Sequence, residues 1–195
     1  MRHQKVAPNF GVVEEQARSW RMLSDRSASE TDERLRSNLE VVARHVEAEV
    51  GGDIPALMTT LVPEPEYEFL TDSAVTTASG FEAVQSLYER AVKNGRNRRE
   101  FEIWLVLADR DHVVTEGALR QVMLGQLIDE FGIEYEEEPV PDAWYLTEAR
   151  ILIVWAITPE CLISGERVYF AQKERILRRV KHDECLHMGP EPRSA

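Results

Sequence analysis

A histidine and a glutamate stand four residues apart in the segment RHVEAEVGG, as His45 and Glu49. At helical spacing they share one side. The same stretch carries Leu35, Leu39, Val42, Val46 and Val50 in three- and four-residue steps, which predicts an amphipathic helix. At about 100° per residue, Glu49 falls roughly 60° from the centre of that apolar arc and His45 roughly 100°. The spacing therefore predicts Glu49 close to buried and His45 at the rim. A carboxylate in an apolar cavity has a raised pKa and can act as acid or base near neutral pH. The imidazole would orient it or trade protons with it. The same spacing also fits a ligand contact without chemistry, or a structural pair tying helix to sheet.

A second set of candidates lies on predicted strands. In CLISGERVYFA, Glu166, Val168 and Phe170 fall on one face, and Arg167, Tyr169 and Ala171 on the other. Glu166 offers a further carboxylate, and Tyr169 a donor to a developing oxyanion. Glu116 in HVVTEG shares a face with Val114, so it lines a cavity or looks outward to solvent or a dimer partner. Tyr67, Trp144, Tyr145 and Trp155 offer flat surfaces for a polycyclic ligand, or serve as plain core. Asp53 reads as a helix cap. Asp109-Arg110-Asp111 reads as a hairpin turn, whose consecutive side chains cannot converge on one substrate. No glycine-rich phosphate loop is present. His182, Cys185 and His187 form too short a run to predict a metal site, so neither metal nor cofactor is expected.

These residues need a scaffold. The chain has 195 residues, 43% of them hydrophobic, and a formal net charge of −12, which suits one domain with one full core. No apolar run approaches the ~20 residues of a membrane span. The opening MRHQKVAPNFGVVEEQ has no apolar stretch of the kind a secretory leader needs, and two cysteines cannot make a disulfide framework. The expectation is a cytoplasmic protein with no membrane partner. Its acidity argues against a nucleic-acid partner. The charge is uneven: residues 32–172 carry a net −15 and residues 173–182 a net +4.

Residues 1–31 read as an N-terminal arm, with a short helix around residues 12–23 and a linker at SDRSASETDE. Trp20 is costly to leave in water, so the arm is expected to dock on the body or a neighbouring subunit. Residues 32–181 read as the folded domain and 182–195 as a tail. Thr31 or Asp32 caps the His45 helix, and Gly51-Gly52 stops it. A short helix after Asp53, a strand at Tyr67–Leu70 and a helix from Phe81 to Gly95 follow. Phe101–Ala108 and His112–Ala118 form a hairpin, and Trp144–Ile157 pairs with Cys161–Ala171 in another. A basic helix, about Lys173 to Lys181, is expected to close the fold. Helices followed by long strands predict an α+β class. A curved, mainly antiparallel sheet wrapped around N-terminal helices makes a cone-like barrel with an apolar mouth.

Order and spacing add a resemblance. RHVEAEVGGDIPALMTTLVPEPEYEF is similar to the first helices of SnoaL-like proteins in the nuclear-transport-factor-two-like superfamily, where a His-x-x-x-Glu-x-x-x-Asp helix leads to a proline-flanked Tyr strand. SGFEAVQSLYE resembles their Gly-x-x-x-Val-x-x-x-Tyr helix. DRDHVVTEG resembles their hairpin, with a Glu on the returning strand. SGERVYFAQKERILRRV resembles their last strand, usually Gly-Glu-x-x-Tyr-Phe-Asp, and the helix after it; here Ala171 holds the Asp place. The resemblance spans residues 33–181. It implies a cone-shaped α+β barrel, dimeric through its sheet. It also implies cofactor-independent acid–base chemistry on a polyketide-, steroid- or terpenoid-like molecule, of isomerase, cyclase, dehydratase or epoxide hydrolase type. His45, Glu49 and Glu166 would be the catalytic groups, and Tyr67, Glu116, Tyr145, Trp155 and Tyr169 the substrate-binding ones. A noncatalytic ligand-binding or dimerisation module of the same fold is the alternative.

Overall fold

The computed structural model describes residues 18–71, 74–181 and 184. Helix α1 is Arg18–Ala28, α2 Glu33–Gly51, α3 Ile54–Met58 and α4 Phe81–Lys93. The strands are β1 Leu61–Leu70, β2 Val75–Ser79, β3 Arg99–Ala108, β4 His112–Leu124, β5 Trp144–Ile157 and β6 Ile163–Val180. They form one curved, open sheet in the order β2-β1-β6-β5-β4-β3. Every neighbouring pair is antiparallel except β1 with β6. The α+β expectation holds. Among the described residues, no helix is long and apolar enough to cross a membrane.

Local chemistry sets the helix bounds. The Asp32 side chain accepts from the amides of Arg34 and Leu35, and Gly52 closes α2 at φ +72°, where a side chain would be strained. Asp53 caps α3 by accepting from the Ala56 amide. Along α2, Leu39, Val42, Val46 and Val50 are buried as predicted, but so are Asn38, Val41, Ala43 and His45. A helical wheel assumes burial on one side. This helix is enclosed by more than the sheet, because α1 and residues of α4 also pack on it. The core therefore fills the space between α2 and the inner sheet face, from Leu39 and Val46 to Ile151, Ile153 and Trp155.

Two segments differ from expectation. The first helix runs over Arg18–Ala28, so SDRSASETDE is partly helical rather than a linker. It docks on the body: Leu23 is fully buried, and the Ser19 hydroxyl accepts from the Phe101 amide on edge strand β3. Residues 1–17 of the arm and most of the 182–195 tail lie outside the described residues. The expected basic helix at 173–181 is instead the far half of β6. Strand β5 begins at Trp144, and its first residues pair with Ile176, Arg178, Arg179 and Val180. That pairing overrides the local helix preference of KERILRR. The ambiguous stretch after residue 118 resolves as the rest of β4, a 3-10 turn at Gly125–Leu127 and a loop.

Candidate active site

A cavity of about 710 Å³ lies between the inner sheet face, the end of α2 and the side of α4. Its walls are mostly apolar: Val46 and Val50 from α2, Phe69 from β1, Phe101 from β3, Ile151, Ile153 and Trp155 from β5, and Val168 and Phe170 from β6. Polar groups enter at two poles.

The first pole is built around Glu166. Strand alternation puts it on the inner face with Val168 and Phe170, as expected. It pairs with Tyr67 across the parallel β1–β6 ladder. His45 Nε2 lies 3.3 Å from Glu166 Oε1. The Tyr88 hydroxyl lies 2.9 Å from His45 Nε2, 3.0 Å from the Tyr67 hydroxyl and 3.2 Å from Glu166 Oε1. Behind the ring, Thr60 Oγ1 sits 2.6 Å from His45 Nδ1 and 2.6 Å from the Leu57 carbonyl. The carbonyl can only accept, so the one Thr60 hydroxyl proton goes to it. Thr60 must then accept from His45, which places a proton on Nδ1. Nε2 is left to accept a hydrogen bond from Tyr88 and to exchange a proton with Glu166. Trp155 packs edge-on to the imidazole at 5.6 Å and satisfies its own N–H on Thr115.

Burial opposes charge on both tyrosines at this pole. It raises the pKa of Tyr67 and of Tyr88 well above the ordinary value, and the nearby Glu166 carboxylate raises each further. Both hydroxyls therefore stay protonated as donors.

The second pole holds two arginines and two carboxylates. Arg99 is ion-paired with Glu49. Arg96 donates from Nη2 to Glu174 Oε2 at 3.2 Å and stacks on the Phe131 ring at 3.9 Å. Glu174 Oε1 also accepts from Gln121 at 2.5 Å and from the Thr147 hydroxyl at 2.6 Å. Burial lowers the pKa of both arginines, and neighbouring carboxylates oppose that shift.

Of the residues singled out in the sequence, Glu49, Tyr67, Trp155 and Glu166 line the cavity, and His45 stands directly behind Glu166. Glu49 is close to buried as expected, its side chain 14% exposed, but His45 is fully buried rather than at the rim. The imidazole is covered by Thr60, Tyr88 and Trp155, which a wheel of α2 alone cannot anticipate. Three candidates lie elsewhere. Glu116 faces the outer side of the sheet in an ion pair with Arg150. Tyr145 packs in a separate cluster with Met123 and Ile128 and donates toward neither pole; its hydroxyl accepts from the Val140 amide. Tyr169 is 38% exposed on the outer face, and Ala171 is also exposed.

Tyr88, Thr60, Arg96, Arg99 and Glu174 were not singled out. Tyr88 was legible as a tyrosine on the apolar side of its helix, where a buried hydroxyl needs a partner. Arg99 was legible once β3 starts two residues earlier, because it then shares the face of Phe101. Glu174 was hidden by the helix expectation for its segment. Among the described residues, no group of three or more His, Cys, Asp or Glu could hold a metal ion; His182, Cys185 and His187 lie outside them.

Solved structures share this architecture. A SnoaL-like polyketide cyclase, so described, from Jannaschia sp. CCS1 superposes with a TM-score of 0.52 at 16% identity, over 73% of this chain and 91% of that one. A nuclear-transport-factor-two-like protein from Anabaena variabilis superposes with a TM-score of 0.53 at 9% identity, over 74% and 95%. The fold is that of the SnoaL-like, nuclear-transport-factor-two-like proteins. A third structure that shares this architecture is the epoxide hydrolase/cyclase-like enzyme SalBIII, described in pyran ring formation in the polyether salinomycin. It matches with a TM-score of 0.51 at 17% identity, over 69% of this chain and 91% of that one. No family model matches the sequence, and no curated protein matches it.

Proposed function

We propose that this protein is a cofactor-independent acid–base enzyme acting on a small hydrophobic molecule held in the cavity. The reaction would be an isomerisation, cyclisation, dehydration or epoxide opening. The observation that carries this reading is the Glu166–His45–Tyr88–Tyr67 constellation at one end of an apolar cavity. Glu166 takes a proton from the substrate, and His45 Nε2 relays it. Thr60 holds the ring so that only this nitrogen exchanges. Tyr67 and Tyr88, kept protonated by burial, donate to an oxygen that gains negative charge. Trp155 supplies a flat wall, and Glu49, engaged by Arg99, orients the substrate. The polyketide-cyclase and epoxide-hydrolase/cyclase descriptions of two neighbours support a polyketide-like molecule within the polyketide-, steroid- or terpenoid-like range expected of the substrate.

We place the functional unit at residues 32–181, with 1–31 an appended arm and 182–195 a tail, working as a homodimer in the cytoplasm. The exposed Trp104 and Leu107 on the convex side of the sheet support a second copy there. The apolar lining alone also suits a noncatalytic ligand-binding module of the same fold.

Removal of a proton from 5-nitrobenzisoxazole, followed as release of the coloured phenolate, tests for a cavity base without the natural substrate. Wild type should exceed the buffer rate, and Glu166→Gln should lose on the order of 100-fold. His45→Gln should lose less and displace the pH–rate profile. Equal rates for wild type and Glu166→Gln would overturn the enzyme reading in favour of the binding module.

A further inference from the structure

Three arginines, Arg90, Arg96 and Arg99, and three glutamates, Glu49, Glu166 and Glu174, line the cavity. The signs balance, so the space suits an uncharged guest; a molecule bringing its own carboxylate would leave that charge unmatched among apolar walls. The three guanidinium groups are not equivalent. Arg90 is exposed, and water screens it. Arg96 is committed to Glu174 and stacked on Phe131. Arg99 gives Nη2 to Glu49. Its Nε and Nη1 bond to none of the described residues, yet they are not sealed from water. The side chain, 21% exposed, lines the cavity, so these donors open on it. Arg99 also stands in the field of the proton-exchanging groups. Its partner Glu49 follows His45 by one turn of α2, about 6 Å along the axis, and His45 lies 3.3 Å from Glu166. Burial lowers the pKa of Arg99, and Glu166 is the first charge to oppose that shift, ahead of Glu174. When Glu166 takes a proton from carbon, its negative charge passes to the substrate. The balance inside the cavity is kept if that charge arrives beside Arg99.

We propose that the substrate is a neutral carbonyl compound with an acidic C–H next to the carbonyl, and that Arg99 donates to the carbonyl oxygen as it becomes an enolate. The C–H bond breaks and its proton goes to Glu166. Its electron pair forms the C=C bond, and the C=O π pair moves onto oxygen. Return of the proton to another carbon completes an isomerisation; attack of the enolate carbon on a second carbonyl of the same molecule completes a cyclisation. An arginine holds charge without giving up its own proton, which suits an enolate rather than a ring oxygen that must leave as a hydroxyl. Tyr67 and Tyr88 offer neutral hydroxyls already bonded within their own network. Arg99 adds a full charge and uncommitted donors, strongest where the charge develops. Glu49 is its positioning residue. This assignment deepens the acid–base reading and rests on it.

The probe is 2-tetralone, a neutral apolar ketone, whose uptake of deuterium from D2O beside the carbonyl is followed by proton NMR. Wild type should exceed the buffer rate, and Glu166→Gln should lose that excess. Arg99→Gln should lower kcat on the order of 100-fold, because the full oxyanion forms only as the proton leaves. Its KM should change by less than about threefold, a split that a bracing role for Arg99 would not produce. Arg99→Lys keeps the charge but not the forked donors, and should lose about tenfold in kcat. An unchanged kcat in Arg99→Gln, or a loss confined to KM, overturns the role of Arg99. If that variant does not fold, Arg99→Lys is judged by the same criterion. Wild type that converts the benzisoxazole but leaves the ketone at the buffer rate overturns the carbonyl assignment alone. Failure with both probes, or ketone exchange that survives Glu166→Gln, overturns the acid–base reading with it.

Discussion

At the scale of single residues, Thr60 is as informative as Glu166. A lone hydroxyl, committed to a carbonyl, dictates which nitrogen of His45 is free to move a proton. The two buried tyrosines make a measurable counterpart. Folding raises both of their pKa values, so the folded protein holds these protons more tightly than the unfolded chain. The resulting stability is complete below about pH 10, where unfolded tyrosine titrates. It drains as pH rises beyond that point toward the folded values. The melting temperature should therefore fall above pH 10, and less steeply in Tyr88→Phe. Absorbance at 295 nm should show Tyr67 and Tyr88 ionising only as the protein unfolds. Early titration of all five tyrosines in the folded state would contradict this. The sequence alone pointed to Glu49, Tyr67, Trp155 and Glu166, because strand alternation and helical phase report which face a residue takes. It could not report how many neighbours cover that face, and so it set His45 at the rim.

At the scale of elements, the site depends on how closely β1 approaches β6. A Cβ built on Gly165 would stand 2.1 Å from the Glu66 carbonyl. No side chain fits there without pushing the strands apart. The next pair along the ladder is Tyr67 with Glu166. Gly165→Ala should therefore cost about 1–3 kcal/mol in urea unfolding, and lower the benzisoxazole rate beyond any loss of folded protein. A stable, fully active Gly165→Ala would show that the close approach is dispensable. Helix α2, the hairpins and the long β5 were legible because caps, apolar periods and turn residues are local signals. The end of β6 was not. KERILRR has the composition of a helix, and only the waiting edge of β5 makes it a strand. The same mistake concealed Glu174, since a residue assigned to a solvated helix has no cavity to enter.

For the whole molecule, the two faces of the sheet have different tasks. The concave face holds core and cavity. On the convex face Leu107 pairs with Val114, and Val114 with Val154, across three strands. Trp104 is 46% and Leu107 57% exposed there. If a second copy covers this face, Leu107→Glu should turn a dimer into a monomer in sedimentation experiments while leaving the melting curve at high dilution unchanged. A wild-type monomer at all concentrations would remove the dimer from the proposed function. The excess acidity belongs mostly to residues 32–172.

The sealing of β3 by α1 has a mechanical consequence. Ser19 takes the Phe101 amide, and the helix covers that margin of the sheet. Among the described strands, β2 is thus left as the open margin, held to β1 by only five residue pairs, against thirteen between β5 and β6. Thr76 to Ser79 on β2 also line the cavity. Its compliance is therefore lopsided: the pocket is stiff along β5 and β6, where proton transfer needs fixed distances, and soft along β2. A bulky guest would be admitted by peeling that short ribbon aside, with the reacting groups held in place.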